Sequence, residues 1–315
     1  MSRFRSDVLG WFESGRVAPG RELEVLRAAG VAPSAEQWRA FLARLTLWLG
    51  TIALAASLIF FFAFNWDDLG RFAKFGLVEA AILAGLIGCW LADPDGIAGK
   101  AVLLLLSLLA GALLALTGQV YQTGADTFQL FAWWAVLILP WVLVGRFSPL
   151  WLVWLVLLNL AAIFYFQRAS EPDGLLWALF GLNGLALIAW EAGRRAGLRW
   201  LRDIWPPRLV AMASGATATA LSAWAITEGG GSAALALLAY AAWLAAIHVW
   251  YRRRRPDLFM LATGLLSLIV SVVTLLSHTL LGAGSGSFLL IGLVVIGMSA
   301  GGAVWLKSVA REQAE

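Results

Sequence analysis

Charge is scarce in this chain. Asp, Glu, Lys and Arg together make up 13% of its 315 residues, about half of what a soluble domain of that length carries. Lysine is almost missing, with 3 Lys against 20 Arg. The single cysteine, Cys89, lies inside an apolar run, which excludes a disulfide framework. The two histidines, His248 and His278, lie far apart without ligand spacing, so no structural zinc site and no other metal or cofactor is expected. There is no Walker loop, no Gly-x-Ser-x-Gly elbow, no His-Glu-x-x-His and no Cys-x-x-Cys. The reading is therefore of a protein that is not an enzyme.

What fills the chain instead is apolar surface, 61% of the residues, against roughly 45–50% in soluble domains. The excess must face lipid. A spanning helix needs about 20 mostly apolar residues. Runs of that kind are expected at 45–64, 72–92, 100–117, 127–145, 150–166, 174–191, 209–226, 233–251, 258–281 and 287–306. These are continuous apolar blocks rather than alternating ten-residue segments, which excludes a β-barrel. The fold class is all-α: a polytopic membrane bundle of about ten helices over 45–306, a tail at 307–315, and a short module at 1–44. The first apolar run begins near Leu45, too late for a cleaved leader, and is expected to stay as an anchor.

Orientation follows from where the basic residues fall. With ten spans, 20 of the 23 Lys and Arg lie on one side, and Arg71, Lys74 and Arg168 on the other. Cytoplasmic loops collect Lys and Arg, so both termini are expected in the cytoplasm. Losing one span would scramble this asymmetry, which supports the parity. The net charge of +4 is spread over short clusters between spans rather than along one face, so no nucleic-acid partner is expected. Arg252 to Arg255 read as a topology signal touching anionic headgroups.

In the N-terminal module, Ser34 and Gln37 have the spacing of a capping box opening a helix that runs into the first span. A second short helix is bracketed by Pro19 and Gly30, with Leu23 and Leu26 on one face. This amphipathic unit is expected to lie on the cytoplasmic membrane surface, the alternative being that it docks a cytoplasmic partner. Trp66, Trp90, Trp151, Trp190, Trp224, Trp250 and Trp305 fall near span ends and read as an interfacial belt.

Polar residues concentrate in three places. Asn65, Trp66, Asp67, Asp68, Arg71 and Lys74 follow the first span, and Gln119, Tyr121, Gln122 and Asp126 join the third and fourth spans. Together they form a candidate outward pocket for a ligand or partner. The plainer reading makes Asp126 and Gln129 a helix cap and Asp68 and Arg71 a local pair. Glu79 lies within the second span, where an ionisable group is costly and defaults to a functional hypothesis. The other reading, which is favoured, bonds it to one fixed neighbour such as Arg71, Lys74 or a hydroxyl on an adjacent span. The ninth span carries Thr263, Ser267, Ser271, Thr274 and His278 on one continuous helical face. That stripe suits a solute path or, more simply, close helix packing, a habit that Gly297 and Gly301 share. Asn159 and Asn183 are expected to form interhelical bonds.

The segments Phe64-Asn65-Trp66-Asp67-Asp68-Leu69-Gly70-Arg71 and Gly118-Gln119-Val120-Tyr121-Gln122-Thr123-Gly124-Ala125-Asp126 resemble hallmark stretches of a bacterial membrane-protein family, the domain of unknown function numbered 2157. The module with Trp11 and Gly15-Arg16-Val17 is similar too, so the resemblance covers residues 5–165. It implies a bacterial inner membrane as location and supplies no mechanism. The leading expectation is a non-enzymatic envelope protein whose outward loops bind a partner protein or small ligand. A secondary transporter using Glu79 and the ninth-span stripe is the alternative. A lipid-modifying enzyme is the weaker third, since it would need two or more acidic or His groups converging at one depth.

Overall fold

The computed structural model describes residues 10–12, 14, 16–18, 20–28, 32–64, 70–91, 93, 96–122, 124–169, 172–280 and 286–313. Among them the regular elements are all helical: α1 (Glu22–Ala28), α2 (Ala35–Phe64), α3 (Arg71–Leu91), α4 (Ile97–Tyr121), α5 (Thr127–Gly145), α6 (Ser148–Ala169), α7 (Pro172–Arg195), α8 (Trp205–Glu228), α9 (Ala233–Val249), α10 (Leu258–Leu280) and α11 (Gly286–Glu312). A 3₁₀ turn at Arg199–Leu201 precedes α8, and a π-helical turn at Trp250–Arg254 continues α9.

Among the described residues, nine helices, α3 to α11, are long and apolar enough to cross a membrane. The segment 45–64, expected as the first span, is helical as well. It forms the C-terminal part of the 30-residue α2 and contains no charged side chain. The helix starts where its capping box says: Gln37 N–H donates to Ser34 Oγ (3.2 Å), and Ser34 N–H donates to Gln37 Oε1 (2.8 Å). These reciprocal bonds satisfy backbone donors that the first turn leaves without partners.

The chain forms two compact units, one of residues 1–116 with 314–315, the other of residues 117–313. In the first, α3 and α4 touch closely. A Cβ at Gly85 would lie 2.7 Å from Leu106 Cδ2, and Leu106 is fully buried. Glycine at position 85 thus leaves room for the Leu106 side chain.

In the second unit α8 is central and packs against α6, α7, α9 and α10. Its sequence explains why. Ala211, Gly215, Ala218, Ser222 and Ala225 recur at spacings of four and three and are all buried. Small side chains on one helix face allow backbones to close up where no hydrophobic force separates protein from lipid. A Cβ at Gly215 would sit 3.3 Å from the Trp243 ring and 3.4 Å from Thr263. Pro206 and Pro207 stand in the first turn of α8, where a missing N–H costs nothing, and Gly229 closes the helix with φ 63°.

The expected packing glycines of the last span are corrected by one position. Gly297 and Gly301 are exposed with open space around them, whereas the buried Gly302 faces α10, and a Cβ there would fall 2.2 Å from Leu265 Cδ2. The tryptophan belt is corrected as well. Trp90 is 85% exposed, but Trp190 is buried, and Trp151 and Trp190 both pack against Trp200 (ring centroids 5.5 and 6.2 Å). These two rings build the core of one end of the bundle. Trp66 lies outside the described residues.

Candidate functional site

Alternating helices give the second unit two ends with different chemistry. At one end α6 meets α7 and the chain enters α5; among the described residues the basic residue there is Arg168, which forms an ion pair with Asp126 across 42 positions of sequence. Gln129 Oε1 accepts the Asp126 backbone N–H (3.2 Å), so the expected cap at the start of α5 is present. Before Asp126 in the chain, Gln119, Tyr121 and Gln122 are exposed, and Gln122 is held at φ 44°, a left-handed conformation that side-chain-bearing residues adopt infrequently. The sequence leads one to expect Arg71 or Lys74 within reach of Asp67, Asp68 or Asp126; Asp126 is held by Arg168, and Asn65, Trp66, Asp67 and Asp68 lie outside the described residues. Arg71 stands over the Phe72 ring (4.9 Å), and Lys74 is buried at 7% exposure in α3.

Within the spans, polar side chains of the second unit find one another. Ser267 Oγ lies 2.7 Å from Thr219 Oγ1 and 3.1 Å from Tyr240 Oη, and Ser271 Oγ is 2.7 Å from Ser222 Oγ. Trp243 Nε1 donates to Ser214 Oγ at 2.8 Å. The result is a hydrogen-bonded seam joining α8, α9 and α10. The rest of the predicted stripe takes no part. Thr263 and Thr274 donate to carbonyls of their own helix, and His278 is exposed. Asn159 and Asn183 bond each other between α6 and α7.

Glu79, the acidic residue that stood out in the sequence, is exposed on α3 and among the described residues makes no ion pair or hydrogen bond. The buried acid is a different one. Glu191, 6% exposed near the end of α7, accepts a hydrogen bond from Tyr251 Oη at 3.2 Å and lies between two arginines: Arg194 Nη1 is 3.5 Å from Oε1, and Arg255 Nε is 3.7 Å from Oε2. Nearby, Arg208 grips Asp257 through two bonds, Nε to Oδ2 at 3.2 Å and Nη2 to Oδ1 at 3.1 Å. These groups line a cavity of about 560 Å³ formed by α7, α8, the π-turn and the start of α10.

The π-turn shapes this cavity. Arg255 N–H bonds to Trp250 O (3.0 Å), five residues back, so the turn carries one residue more than an α-helix would. That insertion keeps Tyr251 buried at 3% exposure while Arg254 and Arg255 reach the cavity wall. Sequence reading missed this site. Glu191 is the last residue of the expected span 174–191, where a carboxylate draws no attention. The signal that existed was its spacing of three from Arg194.

Among the described residues, nine apolar helices, polar groups paired between helices and a basic cluster at one end define a multi-pass α-helical membrane protein. Residues 9–151 match the family described as "Predicted membrane protein (DUF2157)", in keeping with the resemblance of the two polar segments. The matched stretch ends inside α6, so every residue lining the arginine-walled cavity lies beyond it. No curated protein and no solved structure matches the chain.

Proposed function

We propose that the chain is a non-enzymatic protein of the bacterial inner membrane, with both termini in the cytoplasm, whose outward polar loop engages an envelope protein. The orientation is supported by the second unit, where twelve Lys and Arg gather at one end and Arg168 stands alone at the other. The basic end is then the cytoplasmic one. The observation that carries the binding role is the pairing of the intramembrane polar groups. The seam hydroxyls and the two asparagines are bonded to one another, so they act as glue between helices rather than as the lining of a solute path. Function then falls to the ends of the helices. Tyr121, five residues before Asp126 in the chain, is 63% exposed, and aromatic residues together with Arg are the composition of binding hot spots.

A photoreactive benzoylphenylalanine in place of Tyr121 tests this in living cells. A discrete adduct of one envelope protein is expected, with none from the same probe at the exposed, mid-span Leu137. Equal labelling at both positions, or lipid adducts alone, would refute the outer binding face. A lipid-modifying enzyme stays as second reading because two carboxylates, Glu191 and Asp257, do converge on one cavity. Each is held by arginine, which suits a fixed binding wall better than a proton-transferring group. Lipid extracts incubated with the purified protein and resolved by mass spectrometry should show no headgroup turnover.

A further inference from the structure

We propose that the cavity at the arginine-rich end of the second unit is a binding site for a phosphate group, and specifically for the phosphodiester of an anionic phospholipid. The charge balance of its wall asks for an anion. Among the described residues, Arg194, Arg208, Arg254 and Arg255 face the space against Glu191 and Asp257, an excess of two positive charges. The two carboxylates do not cancel the site so much as hold its arginines in place. Asp257 fixes Arg208 by both oxygens, and Glu191 takes the Nε edge of Arg255, which leaves that guanidinium's two terminal nitrogens to point elsewhere. Arg254 is exposed and among the described residues has no ion-pair partner. Planar forks held in this way match the oxygens of a phosphate bidentately.

A lipid fits better than a soluble anion because of what surrounds the charge. The cavity wall also includes Ile204, Leu258 and Phe259, which are 56%, 37% and 38% exposed. Trp205, 45% exposed, adjoins it in sequence, and Arg195 stacks over the Trp250 ring at 3.8 Å. Aromatic and basic residues mixed at a span end mark headgroup depth, and basic pockets between spans receive lipid phosphates there. An amphiphile can therefore set its phosphate among the arginines and keep its chains against the apolar rim. The Glu191 Oε2 atom is buried without a hydrogen bond, and a headgroup carrying a hydroxyl beside its phosphate offers the donor it lacks. Phosphatidylglycerol has that chemistry.

The site is distinct from a general attraction of Arg252 to Arg255 for acidic membranes. Arg253 belongs to the same run but lines no part of the cavity, and Arg252 is engaged by Glu312 (2.7 Å). This sets up the test. The full chain, purified in neutral detergent, is titrated with phosphatidylglycerol, with phosphatidylcholine and with inorganic phosphate, and bound lipid is counted by native mass spectrometry alongside the melting temperature. Phosphatidylglycerol is expected to remain bound as one tight copy and to raise Tm. Arg254→Gln is expected to weaken this about tenfold, as loss of one charged fork would, while Arg253→Gln leaves it unchanged. If Arg254→Gln does not fold, Arg254→Lys keeps the charge but not the fork and should weaken binding to a smaller degree. A matching, Arg254-dependent response to inorganic phosphate would keep the site and assign it to a soluble anion. Equal losses in the Arg253 and Arg254 variants, or no preference for phosphatidylglycerol over phosphatidylcholine, would overturn the proposal.

Discussion

Asn159 and Asn183 close a ring of hydrogen bonds in the membrane interior. Asn183 Nδ2 donates to Asn159 Oδ1 at 2.7 Å, Asn159 Nδ2 donates back to Asn183 Oδ1 at 3.3 Å, and each amide gives its second hydrogen to a carbonyl one turn earlier, Leu155 O and Leu179 O. Both donors of both side chains are thereby used. In lipid there is no water to replace a lost partner.

Replacing one member should therefore cost more than replacing both. Asn183→Leu leaves the Asn159 amide unmatched, and a loss of about 1–2 kcal/mol is expected, the upper range for hydrogen bonds between spans. The double variant Asn159→Leu with Asn183→Leu should recover part of that loss. Thermal unfolding in detergent measures both, and a double variant less stable than Asn183→Leu alone would contradict the ring.

Gly301 and Gly302 are neighbours in α11 with opposite expected tolerance. The Gly302 Cα faces Leu265, and even a methyl there meets Leu265 Cδ2 at 2.2 Å, while Gly301 has open space. Gly302→Leu should destabilise by about 1–3 kcal/mol, the usual cost of overpacking, and Gly301→Leu by less than about 0.5 kcal/mol, as for substitutions that touch nothing. The difference in melting temperature between the two variants reads this directly.

Glu79 should be dispensable for folding. It is exposed on α3 and among the described residues has no partner, so the penalty of about 3–5 kcal/mol for breaking a buried ion pair does not apply. Glu79→Gln is expected to leave thermal stability unchanged and to abolish no ion flux in proteoliposomes. Lost proton-coupled uptake in that variant would favour the transporter reading instead.

Topology is checked by reporter fusions. Fusions at Gly124 and Gly230 should report periplasmic, and those at Ala196 and the C terminus cytoplasmic. Gly124 and Gly230 belong to the end of the second unit that holds Arg168, and Ala196 to the end with the arginine-walled cavity. A cytoplasmic signal from Gly124 would reverse the orientation and move the proposed phosphate site to the outer leaflet.

The positions of the helices were legible because the cost of placing a residue in lipid is local. Each apolar block is paid out residue by residue along the chain, and its ends are marked by Ser34 with Gln37, Asp126 with Gln129, or Gly229. That Asn159 and Asn183 would each bond across helices was legible for the same reason, since an amide in lipid must find a partner; that they bond each other was not. Which glycine makes the contact was not legible, because Gly297, Gly301 and Gly302 differ only in the direction each faces.

By itself, then, the sequence determined that the protein is an all-helical, multi-pass membrane chain and where most of its helices begin and end. Tertiary structure alone decided which polar groups meet. Glu191 and Tyr251 are 60 residues apart, Arg208 and Asp257 are 49 apart, and nothing in a hydropathy pattern links them. Helices in lipid associate by shape and by the hydrogen bonds they can complete rather than by exclusion from water. The small-residue face of α8 and the extra residue in the π-turn settle that shape, and with it they place the arginine-walled cavity.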